Sequence, residues 1–173
     1  MKTSKGFRPL LLGLCTGGLL SAAAAAAGAE EALVSFQVLS PETALKAARA
    51  ALDDCRKNGY QVTVAVVDRF GTQQVLLRDR YAGPHTPSTA TRKAWTAVSF
   101  RTNTVELTDL TQSGGPFSGI RHIDNALMVG GGVPIEASGS IVGAMGVSGA
   151  PSGNLDDACA RAGIDAIEED IAF

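Results

Sequence analysis

Apolar residues recur along the chain with two different periods, and the switches between them give the order of elements. From Ser40 onward, Ala44, Leu45, Ala48, Ala51, Leu52 and Cys55 follow helical spacing. Ser40-Pro41-Glu42 is a helix start: a hydroxyl to cap a free amide, a proline suited to the first turn, and a carboxylate at the positive end of the dipole. Lys57, Asn58 and Gly59 end it, with Gly59 able to take the left-handed conformation. Residues 61–68 read as a central strand buried on both sides, with Val62, Val64 and Val66 on one face and Ala65 and Val67 on the other. Asp68-Arg69-Phe70-Gly71 turns the chain into a second strand, 73–78, so the two pair as an antiparallel hairpin. Pro84, Pro87 and Ser88 introduce a second helix reaching about Phe100, with small inward residues Ala90, Ala94 and Ala97 beside Val98. Residues 127–135 and 140–147 form another strand pair around Ser138-Gly139. A closing helix over 156–171 packs through Ala158, Ala162, Ala166 and Ile167. Helix, hairpin, helix, long loop, hairpin, helix predicts an α+β fold, a mostly antiparallel sheet flanked by helices.

Ahead of this pattern, residues 1–29 have the layout of a cleavable secretory signal peptide. Lys2, Lys5 and Arg8 make a positive start, an uncharged stretch of Leu, Gly and Ala follows, and Ala27-Gly28-Ala29 offers small residues before Glu30. A retained anchor fits less well because the stretch turns to Ala and Gly toward its end. Lipid attachment at Cys15 is disfavoured by the bulky Leu14. The mature part, 30–173, is then a single domain, periplasmic or secreted, with no stable membrane insertion once the leader is removed. The leader holds three of the 15 basic residues and none of the 17 acidic ones, so the remainder carries a net charge of −5. That balance, without a run of Lys or Arg, argues against nucleic acid or an anionic membrane as a partner. Cys55 and Cys159 survive cleavage. An oxidising destination permits a disulfide between them. Both fall in helices, where a small buried hydrophobe is the commoner role, and the reading favoured is two free buried thiols.

Candidate chemistry gathers in the segments between elements. The long loop over 101–126 contains Ser113-Gly114-Gly115-Pro116 and Arg121-His122-Ile123-Asp124, and serves either as a crossover or as a ligand-binding loop. The two histidines, His85 and His122, both sit in loops, and neutral imidazole is a good axial donor to haem iron. Each is the candidate metal ligand, with His122 slightly preferred because Asp124 can orient it or Arg121 can hold a haem propionate; either can also be a plain solvated side chain. Gly130-Gly131-Gly132 either cradles an anion or permits a bulge or close approach of strands. The run from Gly143 to Gly149 lacks the GxGxxG order of a dinucleotide loop, and Gly146 to Ala150 misses the GxSxG pattern of serine hydrolases.

Several of these stretches are matched together by one family. Val64-Ala65-Val66-Val67-Asp68 with Gly71 resembles the GlcG/HbpS-like haem-binding family. So do Lys93-Ala94 with Thr96-Ala97, Gly131-Gly132-Val133-Pro134-Ile135, the run from Ile141 to Gly149, and the helix start at Asp157 to Ala162. The matches follow the right order over nearly the whole mature domain. What the resemblance implies is an α/β sandwich in a profilin-like arrangement, a homo-oligomer, and haem or a related tetrapyrrole as cofactor, in some members with haem degradation and iron release. The function expected is haem sequestration, storage or sensing. His122, His85, Arg121, Lys93 and Arg92 are the candidate cofactor-binding residues. The alternative is an enzyme or accessory protein acting on a small organic acid in an oxidation pathway, with Arg92, Lys93 or Arg121 holding the carboxylate.

Overall fold

A computed structural model describes residues 32–172; the expected signal peptide lies outside the described residues. From Phe36 the chain folds as one unit. It opens with α1 (Pro41–Lys57), whose Ser40 cap accepts a hydrogen bond from the Thr43 amide at 3.1 Å. The hairpin of β1 (Thr63–Asp68) and β2 (Gln73–Arg78) follows, then α2 (Thr86–Phe100). A short α3 (Thr104–Leu110) and a 3-10 turn (Ser118–His122) lead to the second hairpin, β3 (Gly132–Ala137) and β4 (Ser140–Ser148). The chain closes with α4 (Gly153–Asp165) and one turn, α5 (Glu168–Ile171).

The four strands make one antiparallel sheet in the order β2-β1-β4-β3, the α+β arrangement expected from the pattern. Three boundaries differ from expectation for local reasons. The 101–126 segment is not one loop: Asn103 accepts from the Val105 amide at 2.8 Å and starts α3. Seven residues are too few for a helical period to stand out. The closing helix begins earlier, at a Ser152 cap, and breaks after Asp165. β3 starts at Gly132, because Gly131 turns the chain with φ +112° just before it.

The sheet separates two apolar layers. On one side α1 and α4 cover Val64, Val66, Ile135, Met145 and Val147. On the other, α2 lies on Val67 and Ala144 through Ala94, Ala97 and Val98. The small stripe lets α2 approach almost to backbone contact. A β-carbon at Gly146 would overlap the Ala90 carbonyl and lie 2.7 Å from the Ala94 nitrogen, and one at Gly132 would overlap the Lys93 carbonyl.

Cys55 and Cys159 are joined in a disulfide with their Cα atoms 5.5 Å apart, which corrects the expectation of free thiols. The reason is tertiary: α1 and α4 lie side by side on the same sheet face, and both cysteines point into the layer they share. Burial as small hydrophobes was the right environment for each; their proximity is not visible in either helix alone. The bridge closes a separation of 104 residues, a loop length at which restriction of the unfolded chain is worth about 4–5 kcal/mol.

Two outcomes follow from this packing. Gly146→Ala is expected to lower stability by about 1–3 kcal/mol in urea unfolding, because α2 must move off the sheet to admit one methyl. Replacing both cysteines by alanine is expected to cost about 2–5 kcal/mol, and an unchanged melting temperature would show that the two sulfurs are not joined.

Candidate functional site

At the end of β4 the sheet, the start of α2 and the start of α4 leave a cleft of about 550 Å³. One wall is the segment between β2 and α2, which is fixed at several points. Asp79 is 2% exposed and accepts from Arg56 through Nε at 2.7 Å and Nη2 at 3.1 Å, and from the Arg80 amide at 2.8 Å. Its own amide donates to the Val62 carbonyl at 2.9 Å. Arg78 donates to the Ala82 carbonyl, and Thr86 Oγ1 donates to the Gly83 carbonyl while meeting Thr63 Oγ1 at 2.7 Å. The segment thus carries Tyr81 and His85 to the cleft as parts of a held loop rather than a loose one.

The His85 imidazole makes no hydrogen bond among the described residues. Its carbonyl, by contrast, is occupied by the Thr89 amide at 3.1 Å and the Ser88 and Thr89 hydroxyls at 3.0 and 2.9 Å. The ring leans with its Nδ1–Cε1 edge toward Gly83: a β-carbon there would lie 2.7 Å from Cε1 and 2.9 Å from Nδ1, against 3.8 Å from Nε2. Nε2 is therefore the ring nitrogen farther from Gly83.

Lys93 lies two turns further along α2 and lines the same cleft at 2% exposure. Its ammonium donates to Asp156 Oδ2 at 2.7 Å and to the Val147 carbonyl at 2.9 Å. Asp156 Oδ1 accepts from the Ala150 amide at 2.9 Å. Burial pushes the Lys93 ammonium below its ordinary value and the Asp156 carboxyl above its own, and in each case the partner's charge opposes the shift. Gly131 crowds the pair: a β-carbon there would lie 2.6 Å from Asp156 Cβ and 3.0 Å from Lys93 Nζ. The glycine run thus acts through close approach, around a buried ion pair.

The other expected site residues lie elsewhere. Arg92 donates to the Ala126 carbonyl at 2.8 Å and the Asn125 carbonyl at 3.3 Å. Arg121 donates to the carbonyls of Thr111 at 2.5 Å and Thr108 at 3.0 Å. Both guanidiniums hold the 108–126 segment together. His122 is exposed at the end of the 3-10 turn and makes no side-chain hydrogen bond among the described residues. Of the five, His85 and Lys93 share the cleft, and Arg92, Arg121 and His122 are not part of its lining. Sequence reasoning passed over Gln61, Tyr81 and Ser148, which also line it. They sit where elements start or stop, a position that is itself a signal for sites in sheet proteins.

Sheet and flanking helices together define an α+β domain with a cleft at one end of the sheet. Residues 39–165 match the family model described as haem degrading protein HbpS-like, and the chain belongs to this family. It is similar to HbpS in its crystal structure, with 43% identity and a TM-score of 0.74, covering 78% of this chain and 94% of that one. It is also similar to the protein in the crystal structure of a PduOC–heme complex, with 33% identity and a TM-score of 0.71, covering 75% of this chain and 95% of that one. The corrinoid adenosyltransferase PduO of Salmonella typhimurium is 35% identical over 103 residues, 58% of this chain and 31% of the relative. The chain thus spans about a third of the length of the adenosyltransferases it matches.

The anchoring of the cleft wall gives a pH-dependent outcome. Arg56 beside Asp79 holds its carboxyl below the ordinary value. Such a group stabilises the fold above the unfolded carboxylate pKa of about 3.9, and the contribution is lost as pH falls through the lower folded value. Asp79→Asn is expected to be less stable at neutral pH by about 1–2 kcal/mol, the lower part of the range because Arg56 is half open to solvent. In urea unfolding at a series of pH values, that deficit narrows below about pH 4; a deficit independent of pH would contradict it.

Proposed function

We propose that this protein is an exported haem-binding protein that uses the cleft between α2 and α4, with the iron taken by His85 Nε2. The observation that carries the reading is an imidazole without a hydrogen-bond partner among the described residues, lining a cleft of about 550 Å³. Pockets of that volume are in the range that holds ligands of drug size. The donor set suits haem. One neutral imidazole is a sufficient protein ligand for an iron that already has four pyrrole nitrogens, and Tyr81 and Val129 add exposed apolar surface along the lining. Bound haem would supply redox and oxygen chemistry. The chain's own part is to orient the ring through the held 79–85 loop and to close one side of it from water.

Family membership supports haem as the ligand, and one related structure is of a heme complex. Export is supported by the Lys2, Lys5 and Arg8 leader pattern and by the Cys55–Cys159 bridge, since such bridges persist in oxidising compartments. Sequestration, storage or sensing, with slow degradation of the haem, is the role this reading assigns. Self-association into a homo-oligomer belongs to it, and the exposed apolar side chains Leu110, Phe117 and Ile123 are consistent with covered surface in an assembly.

A haem titration followed at the Soret band tests the reading, with His85→Ala and His122→Ala in parallel. The wild type and His122→Ala are expected to give saturable shifts, and His85→Ala to bind weaker by about tenfold or more, equivalent to at least about 1.4 kcal/mol. Loss in His122→Ala alone would move the ligand to the 3-10 turn. No shift in the wild type would end the haem reading.

A further inference from the structure

The floor of the cleft holds polar groups that the fold itself does not satisfy. Ser148 is 4% exposed, and its hydroxyl makes no hydrogen bond among the described residues. Alternation along β4 puts it on the α2 face, since Val147 belongs to the opposite layer and Gly146 lies under α2. Gln61 also lines the cleft, and its buried Oε1 has no hydrogen-bond partner among the described residues. Lys93 Nζ has three donors and two acceptors, Asp156 Oδ2 and the Val147 carbonyl, which leaves one N–H unused. A buried polar atom left without a partner, as Gln61 Oε1 is here and Gln74 Oε1 and Asp157 Oδ1 are elsewhere in the fold, costs about 1–3 kcal/mol. Three such capacities converge on one cleft.

From this convergence we infer that the floor is a carboxylate subsite. Ser148 Oγ and Lys93 Nζ donate to the carboxylate. Gln61 joins them through its amide nitrogen, because a half-turn of the side-chain amide exchanges its oxygen and nitrogen. Asp156 already neutralises Lys93, so the subsite recognises a carboxylate by converging donors rather than by net charge. His85 caps the start of α2 and Lys93 lies eight residues further on, about 12 Å along the axis. A ligand touching both must be long. Resting on the haem reading above, the inference gives the ring its orientation: one propionate enters first and lies on Ser148, Gln61 and Lys93, with the iron out at His85.

Hemin and its dimethyl ester, titrated into the purified protein, test this orientation. The free acid is expected to bind about tenfold tighter than the ester, the difference made by hydrogen bonds to a charged group. In the Ser148→Ala/Gln61→Leu double variant that preference is expected to fall below about threefold, with the Soret position unchanged because His85 is untouched. Removing two unsatisfied polar groups should leave the melting temperature of the ligand-free protein equal or higher, an effect opposite to that of a structural role. Equal affinity for acid and ester in the wild type, or an undiminished preference in the double variant, overturns the inference. If neither porphyrin binds, the haem reading fails by itself, and the floor is read with sodium propionate by amide NMR. Saturable shifts at Gln61, Ser148 and Gly149 that vanish in the double variant uphold the subsite for a smaller acid; their absence in the wild type overturns it.

Discussion

The close approach of α2 to the sheet is the constraint on which the rest of the structure depends. At Gly146 and Gly132 the helix backbone lies where a β-carbon would have to be. That spacing is reached only because both surfaces have shed their side chains, alanine on the helix and glycine on the strands. A long side chain on that face of α2 cannot lie flat between the layers. Lys93 accordingly reaches to the Val147 carbonyl near the end of β4 and to Asp156. A buried ammonium is costly without a counter-charge, and a buried pair gains little net stability over an apolar substitute of the same size. What the pair does supply is position: it ties the middle of α2 to the first turns of α4 and so sets the width of the cleft between them.

The opposite sheet face does the complementary work. There the disulfide joins α1 to α4, and the Arg56–Asp79 pair joins the end of α1 to the loop that carries Tyr81 and His85. Both walls of the cleft are therefore connected through α1, one covalently and one by a bidentate ion pair. A ligand site held this way loses little entropy on binding, because its walls are ordered beforehand.

Much of this fold is legible in the sequence, for identifiable reasons. β1 reads correctly because a central strand buried on both faces needs apolar residues along nearly its whole length, and Val62 and 64–67 supply them. The start of α1 reads correctly because Ser40 and Pro41 act locally. α3 does not, because its stability comes from the Asn103 cap and from Leu107 packing with Ala126 and Met128, which are distant in sequence. The disulfide is hidden for the same reason: each cysteine looks like an ordinary buried small residue until α1 and α4 are laid side by side. Among the site residues, the chemistry of the histidines was readable but their surroundings were not. Arg121 and Asp124 flank His122 in sequence, yet Arg121 directs its guanidinium to the Thr108 and Thr111 carbonyls. His85, with no charged neighbour in sequence, shares a cleft with Lys93 and Asp156.

The contrast between rim and floor of the cleft follows from where each is built. His85 stands on a loop whose backbone is held at several points while its ring makes no hydrogen bond among the described residues, so a change at the ring alters binding and leaves the loop in place. Ser148 and Gln61 lie at element ends, against the last rungs of the sheet, where a polar atom can be buried without breaking a ladder. A fold selected only for stability would fill those positions with apolar side chains, since the surrounding layer is alanine, glycine and valine and has room for them. Their retention leaves two unsatisfied polar groups in a cleft where a ligand could relieve them, the pattern expected when stability is given up for binding.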